Sequence, residues 1–126
     1  MRYLTMAQTV RDGVYLCTCC GANGVVRVSV TRNPMGSILR RPDIVAAQWA
    51  WIGSESRAKL LVRRLRRQWG SRYELGEGYR FDYGAEGGTF RDELNQAFAA
   101  VVGGPAKWEK LGPGALLLLR SQSRLR

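Results

Sequence analysis

Residues 13–34 read GVYLCTCCGANGVVRVSVTRNP. Val14 and Leu16 alternate with Tyr15 and Cys17, and Val26, Val28 and Val30 alternate with Arg27 and Ser29. A period of two puts each set on its own face of a strand. Between the two runs stand Gly21 and the pair Asn23-Gly24, whose tolerance of positive φ suits a tight turn. The stretch predicts an antiparallel hairpin. Asn33-Pro34 then opens a short helix or turn, because Asn caps a helix and Pro fits its first position. Arg40 and Arg41 end that segment before Pro42.

Working outward, residues 44–52, IVAAQWAWI, read as a third, largely buried strand beside the hairpin, and Gly53 separates it from residues 54–69, SESRAKLLVRRLRRQW. Ser54 and Glu55 form a helix start, a capping hydroxyl followed by a carboxylate in the positive first turn. Ala58, Leu61, Val62, Leu65 and Trp69 fall at i, i+3, i+4, i+7 and i+11. At about 100° per residue they share one stripe, expected to pack on Val26, Val28 and Val30. Arg57, Lys59, Arg63, Arg64, Arg66 and Arg67 fill the remaining arc with Leu60 among them, and Gly70 stops the helix. A solvated helix face usually mixes charges to gain i,i+4 pairs, whereas this one repels itself.

Further on the pattern weakens. Residues 72–78 read as a loop carrying Glu74 and Glu77, and YRFDY at 79–83 as a strand with Tyr79, Phe81 and Tyr83 on one face. GAEGG at 84–88 reads as a break, after which Thr89 and Asp92 suggest a capping box for a helix burying Phe90, Leu94, Ala97, Phe98 and Val101. Gly103-Gly104-Pro105 ends it. A short segment with Trp108 and Leu111 precedes ALLLL, which fits a strand or a docking turn. The expected architecture is α/β in the α+β sense: a three- to four-stranded antiparallel or mixed sheet with two main helices packed on it. Residues 1–12 form a lead-in with Tyr3, Leu4 and Val10 touching the body, 13–111 a single domain, and 112–126 a basic tail.

Composition narrows the function. The chain has 126 residues, 45% of them apolar, enough for one folded domain with a modest core. Lys and Arg number 20 against 10 Asp and Glu, for a net charge of +10 and a pI near 10.4. That charge favours nucleic acid, an acidic protein surface or anionic lipid. The lack of histidine removes Ser-His and Cys-His triads and His-based metal sites. Cys17, Cys19 and Cys20 are the only cysteines, too close along one strand to pair or to build a zinc site alone. They are expected as reduced thiols, in part core filler. No apolar run approaches the roughly 20 residues of a membrane span, and the N-terminus lacks the apolar core of a signal peptide.

The order strand, tight hairpin, strand, Asn-Pro turn, strand, Leu- and Arg-rich helix resembles the GIY-YIG nuclease domain, most closely its small phage and mobile-element branch. Gly13-Val14-Tyr15 stands at the first motif, and the run from Arg27 to Pro34, RVSVTRNP, resembles the second, written K-I-G-V-T-x-N-P. The run from Leu61 to Trp69 is similar to the branch's L-E-x-x-L-H-x-x-F helix, and Gly76-Glu77-Gly78-Tyr79 to its G-E-W-F strand entry. The resemblance covers roughly residues 13 to 83. It implies phosphodiester cleavage with one divalent metal held by a helix glutamate, assisted by tyrosines and an arginine. Tyr15 matches the first tyrosine; the second, near Val26 or Arg27, is missing. The motif glycine is Ser29, and the arginine position is Ser37, with Arg40 and Arg41 one turn on. The metal-binding glutamate aligns with Val62, and the branch's histidine with Arg66. A Mg²⁺ site needs an anionic oxygen ligand, which valine lacks. On the buried stripe, a Val62→Glu side chain is expected to sit unpaired, costing a few kcal/mol without restoring cleavage.

The resemblance and the charge together imply a non-catalytic nucleic-acid-binding protein, of phage or mobile-element origin, in the cytoplasm of a bacterium or phage-infected host. Its expected DNA or RNA contacts are Arg27, Arg40, Arg57, Lys59, Arg63, Arg64, Arg66 and Arg67, with Tyr15 available for stacking. No cofactor is expected. The alternative is a phage-encoded inhibitor or adaptor that grips an acidic host protein or ribonucleoprotein through Leu60, arginines and tryptophans. A divergent nuclease would use Mg²⁺ with vestigial Tyr15, Arg40, Arg41 and Glu77. No membrane partner is expected, and nothing in the sequence fixes the oligomeric state.

Overall fold

The computed structural model describes residues 12–124, so the lead-in expected around Tyr3, Leu4 and Val10 and the last two residues of the tail lie outside the described residues. Strands β1 (Tyr15–Gly21) and β2 (Val25–Thr31) form the hairpin, followed by α1 (Pro34–Leu39) and β3 (Ile44–Trp51). Then come α2 (Glu55–Gln68), a 3₁₀ turn at Gly70–Arg72, β4 (Tyr73–Glu74) and β5 (Gly78–Arg80). The chain continues as α3 (Tyr83–Val102), β6 (Glu109–Leu111) and α4 (Pro113–Arg124). The sheet order is β4-β5-β2-β1-β3-β6, and every neighbouring pair is antiparallel.

The α+β class follows the sequence; the strand count does not. There are six strands rather than three or four, because β4, β5 and β6 have two or three residues each, too few to show an alternation. The hairpin turn is held by Asn23 Oδ1, which accepts the Val25 N–H at 3.1 Å, while Gly24 takes a φ of +83°. Asn33 caps α1 by accepting the Gly36 N–H at 3.1 Å, and Ser54 caps α2 through the Arg57 N–H at 3.3 Å.

β1 lies between β2 and β3 and is buried on both faces, so helices cover the sheet twice. On one side Val14, Leu16, Val26, Ala50 and Ile52 meet Ala58, Leu61 and Leu65 of α2 and Phe90, Leu94, Ala97 and Phe98 of α3. On the other, Tyr15, Cys17, Cys19, Ile44, Ala47 and Trp49 meet Ile38 of α1 and Leu116 and Leu119 of α4. Cys17 and Cys19 are free thiols, with sulfurs 3.8 Å apart on this second face, and Cys20 is half-buried on the first. The Cys19 contact and burial push the Cys17 thiol far up, so it packs as a neutral core side chain.

Trp69, fully buried, ties three elements together. Its ring lies 5.0 Å from Phe81, 5.6 Å from Phe90 and 5.7 Å from Tyr79, and its Nε1–H donates to Glu93 Oε1 at 2.8 Å.

Three expectations need correction. GAEGG is not a break but the first turn and more of α3, and the cap is Asp82 rather than Thr89. Asp82 Oδ1 accepts the Gly84 N–H at 3.1 Å, and Glu86 Oε1 accepts the Asp82 N–H at 2.9 Å. This reciprocal pair, with Phe81 and Phe90 packed edge to face at 5.1 Å, overrides a propensity loss of about 1 kcal/mol per glycine. ALLLL belongs to a helix: Leu116 and Leu119 are buried while Leu117 and Leu118 face out, a phase that an unbroken leucine run conceals. Beyond it the Arg120 guanidinium donates to the carbonyls of Arg41 and Ile44, so the first part of the basic tail is docked. Finally, Val28 and Val62 are only half-buried and Val30 is 37% exposed, because a groove opens over them between β2 and α2.

Leu65 is buried, and Leu65→Ala should lower stability by roughly 2–5 kcal/mol in denaturant titration. Glu86 supplies a pH test. The Asp82 N–H and then Arg72, at 2.8 Å, hold its carboxyl below the usual range. A depressed folded value contributes stability above the unfolded carboxylate pKa and loses it as pH falls through the folded value. Glu86→Gln should therefore lower Tm at neutral pH, and the gap to the parent should close as pH falls below about 4.3.

Candidate nucleic-acid interface

β5 runs beside β2 for only two residue pairs, Val25 with Arg80 and Val26 with Tyr79. Gly78 makes that approach possible: its φ is +133°, and a Cβ there would fall 2.3 Å from the Val26 carbonyl oxygen. Beyond Val26, β2 is an open edge among the described residues. The Gly24 carbonyl accepts the Phe81 N–H at 3.0 Å, so by the alternation of an antiparallel ladder Val26, Val28 and Val30 point their backbone groups the same way. For Val28 and Val30 no strand pairs on that side among the described residues.

Between this edge and α2 lie two adjoining cavities of about 630 and 570 Å³ that share Val28, Val62 and Arg66. The first adds Arg27, Arg41, Tyr73, Glu77 and Tyr79; the second adds Arg32, Glu55, Lys59 and Arg63. Together they make a groove with a valine floor and cationic walls. Two of its cations are neutralised, Arg27 by Glu77 at 3.4 Å and Arg32 by Glu55 at 3.2 Å, in exposed pairs worth ~1 kcal/mol or less. Arg41, Lys59, Arg63 and Arg66 form no ion pair among the described residues.

The eight expected contacts divide. Arg27, Lys59, Arg63 and Arg66 line the groove. Arg57, Arg64 and Arg67 are exposed on the other flank of α2 beside Leu60, and Arg40 is exposed without lining either cavity. Of the vestigial catalytic set, Arg41 and Glu77 do meet Val62 in the first cavity. Tyr15 does not: it is 2% exposed and packs with the core on the opposite sheet face, which removes it from stacking. Arg41, expected to extend the basic strip, does line the first cavity, whereas sequence reasoning missed Arg32 and Tyr73 as groove residues. Their signal was weak, since each lies in a turn or a two-residue strand, and only the fold brings them to α2.

The groove's side chains offer little to a divalent metal: Val62 lies on its floor, and its carboxylates Glu77 and Glu55 sit in separate cavities, each paired with an arginine, Arg27 and Arg32. Among the described residues no three His, Cys, Asp or Glu side chains gather to hold an ion. No helix among them is long and apolar enough to cross a membrane.

The geometry defines an α+β protein with a cationic, apolar-floored groove along an open strand edge. No known protein family, curated protein or solved structure matches the chain.

Because Val62 floors an open groove rather than a sealed core, the cost expected for Val62→Glu is revised downward. A carboxylate there would meet Arg41 and Arg66 instead of being buried alone. Val62→Glu should keep a Tm close to the parent's while weakening polyanion binding, as read by thermal melts and electrophoretic mobility shift.

Proposed function

We propose that this protein binds nucleic acid without cutting it, on a degenerate GIY-YIG-like nuclease scaffold of the phage or mobile-element kind. The observation that carries the reading is the cluster of Arg41, Lys59, Arg63 and Arg66 around one groove, none of them in an ion pair among the described residues. Held cations close together destabilise the fold by repulsion, and a polyphosphate relieves it while releasing counterions. The element order supports the scaffold: hairpin, Asn-capped helix, strand, basic helix and Gly-Tyr strand entry follow the order of the resembled domain. Val62 on the groove floor, Ser29 and Ser37 at motif positions, and Tyr15 turned to the other face all weigh against retained catalysis.

A second reading rests on a different surface. Leu60 is 51% exposed amid Arg57, Arg64 and Arg67, a combination suited to an acidic protein such as a host factor or ribonucleoprotein.

One pair of triple variants separates the two. Alanine at Arg41, Arg63 and Arg66 should leave the fold intact, weaken DNA or RNA binding, and lower the log K against log salt slope by about 0.9 per lost duplex contact, or about 0.7 per single-strand contact. Alanine at Arg57, Arg64 and Arg67 should leave that slope nearly unchanged. If the groove variant binds nucleic acid like the parent, the reading fails. A partner that survives nuclease treatment and is lost with Leu60→Ala would favour the second. Chelator-sensitive cleavage abolished by Glu77→Ala would restore the nuclease reading.

A further inference from the structure

We infer that the groove takes an unpaired nucleic-acid strand rather than a duplex, with Tyr73 as a stacking platform for a base at one end. The inference rests on the nucleic-acid reading above and deepens it. A duplex presents phosphates outward and hides the faces of its bases, so it complements cationic walls alone. A single strand exposes both charge and base faces. This groove offers both kinds of surface: Arg41, Arg63 and Arg66 on its walls, and half-buried Val28 and Val62 on its floor. Each cavity has the volume of a small-ligand pocket, room for a nucleotide or two.

Tyr73 lines the same cavity as Arg41 and Arg66 with its side chain half exposed, at 50%. Its ring is backed by Tyr79 at 5.6 Å, and its hydroxyl accepts the Gly76 N–H at 3.4 Å across the β4–β5 hairpin. An aromatic side chain braced on one side and open on the other, beside unpaired cations, is what a stacked base requires. The edge of β2 at Val28 and Val30, which no strand among the described residues pairs, adds backbone groups to the groove wall.

The test is fluorescence anisotropy with a labelled oligo-dT and a duplex of equal length, over a salt series. The parent should prefer the single strand. Tyr73→Ala should lower single-strand affinity about five- to hundredfold, leave the salt slope and duplex binding unchanged, and remain folded with a Tm lowered by no more than a few degrees. Tyr73→Phe, which keeps the ring, should bind like the parent. If the parent binds duplex as tightly as single strand, or Tyr73→Ala binds oligo-dT like the parent, the strand inference is overturned. The nucleic-acid reading then stands as long as the Arg41, Arg63 and Arg66 triple variant still loses affinity. Tight binding of poly-glutamate with no salt-dependent binding of either nucleic acid would overturn both.

Discussion

Much of this structure depends on the burial of one ring, Trp69. It sits at the end of α2, where the helix stops at Gly70, and touches Tyr79 of β5, Phe81 of the following loop and Phe90 of α3. Three elements that share no strong local signal are thereby fixed to one point. Its Nε1–H reaches Glu93 of α3, and the Arg72 guanidinium lies 4.2 Å from the Phe81 ring centroid, closing the cluster against solvent. Aromatic pairs of this kind contribute roughly 0.5–1.5 kcal/mol each beyond their buried area. That is enough to hold a glycine-rich first turn of α3 in a helix.

The same cluster sets the width of the groove. Tyr79 is both a partner of Trp69 and the residue of β5 that pairs with Val26. Anchoring it beneath α2 brings the β4–β5 hairpin to one end of β2 and leaves the rest of that edge unpaired. An open edge invites unwanted strand pairing, which natural proteins suppress with charge. Here the charge stands on α2, where Lys59, Arg63 and Arg66 overlook the edge. In the proposed reading, one set of side chains would both guard the sheet edge and furnish the polyanion surface.

The sequence showed the parts of the fold that carry their own period. The Asn23-Gly24 hairpin and α2 were legible because alternation and a 3.6-residue stripe run for several turns or residues without interruption. Tyr15 was legible too: its alternation with Val14 and Leu16 already places it opposite α2, and only the motif comparison drew it toward the site. What could not be read lacks an extended period of its own. β4 and β5 are too short to alternate, the α3 cap Asp82 sits inside what read as a strand with Glu86 reaching back to its N–H, and the leucines from Leu116 to Leu119 acquire a phase only on docking. The basic arc of α2 was visible as one surface. Its division into a groove flank and an outer flank required knowing on which side the β2 edge runs.

In the proposed reading, Val62 marks how little change separates two kinds of phosphate chemistry. A nuclease of the resembled kind meets a phosphodiester through a metal, so its groove must keep a carboxylate and tolerate the ion's charge. On that reading, with valine at that position, cations on the walls would neither compete with a metal nor pair with its ligand. Arg41 and Arg66, which line the Val62 cavity, would then meet phosphate directly. Such an exchange would remove the Lewis acid and keep the attraction. In the proposed reading, the loss of one ligand is therefore sufficient to turn a cutting groove into a holding one, provided that the arginines around it stay unpaired.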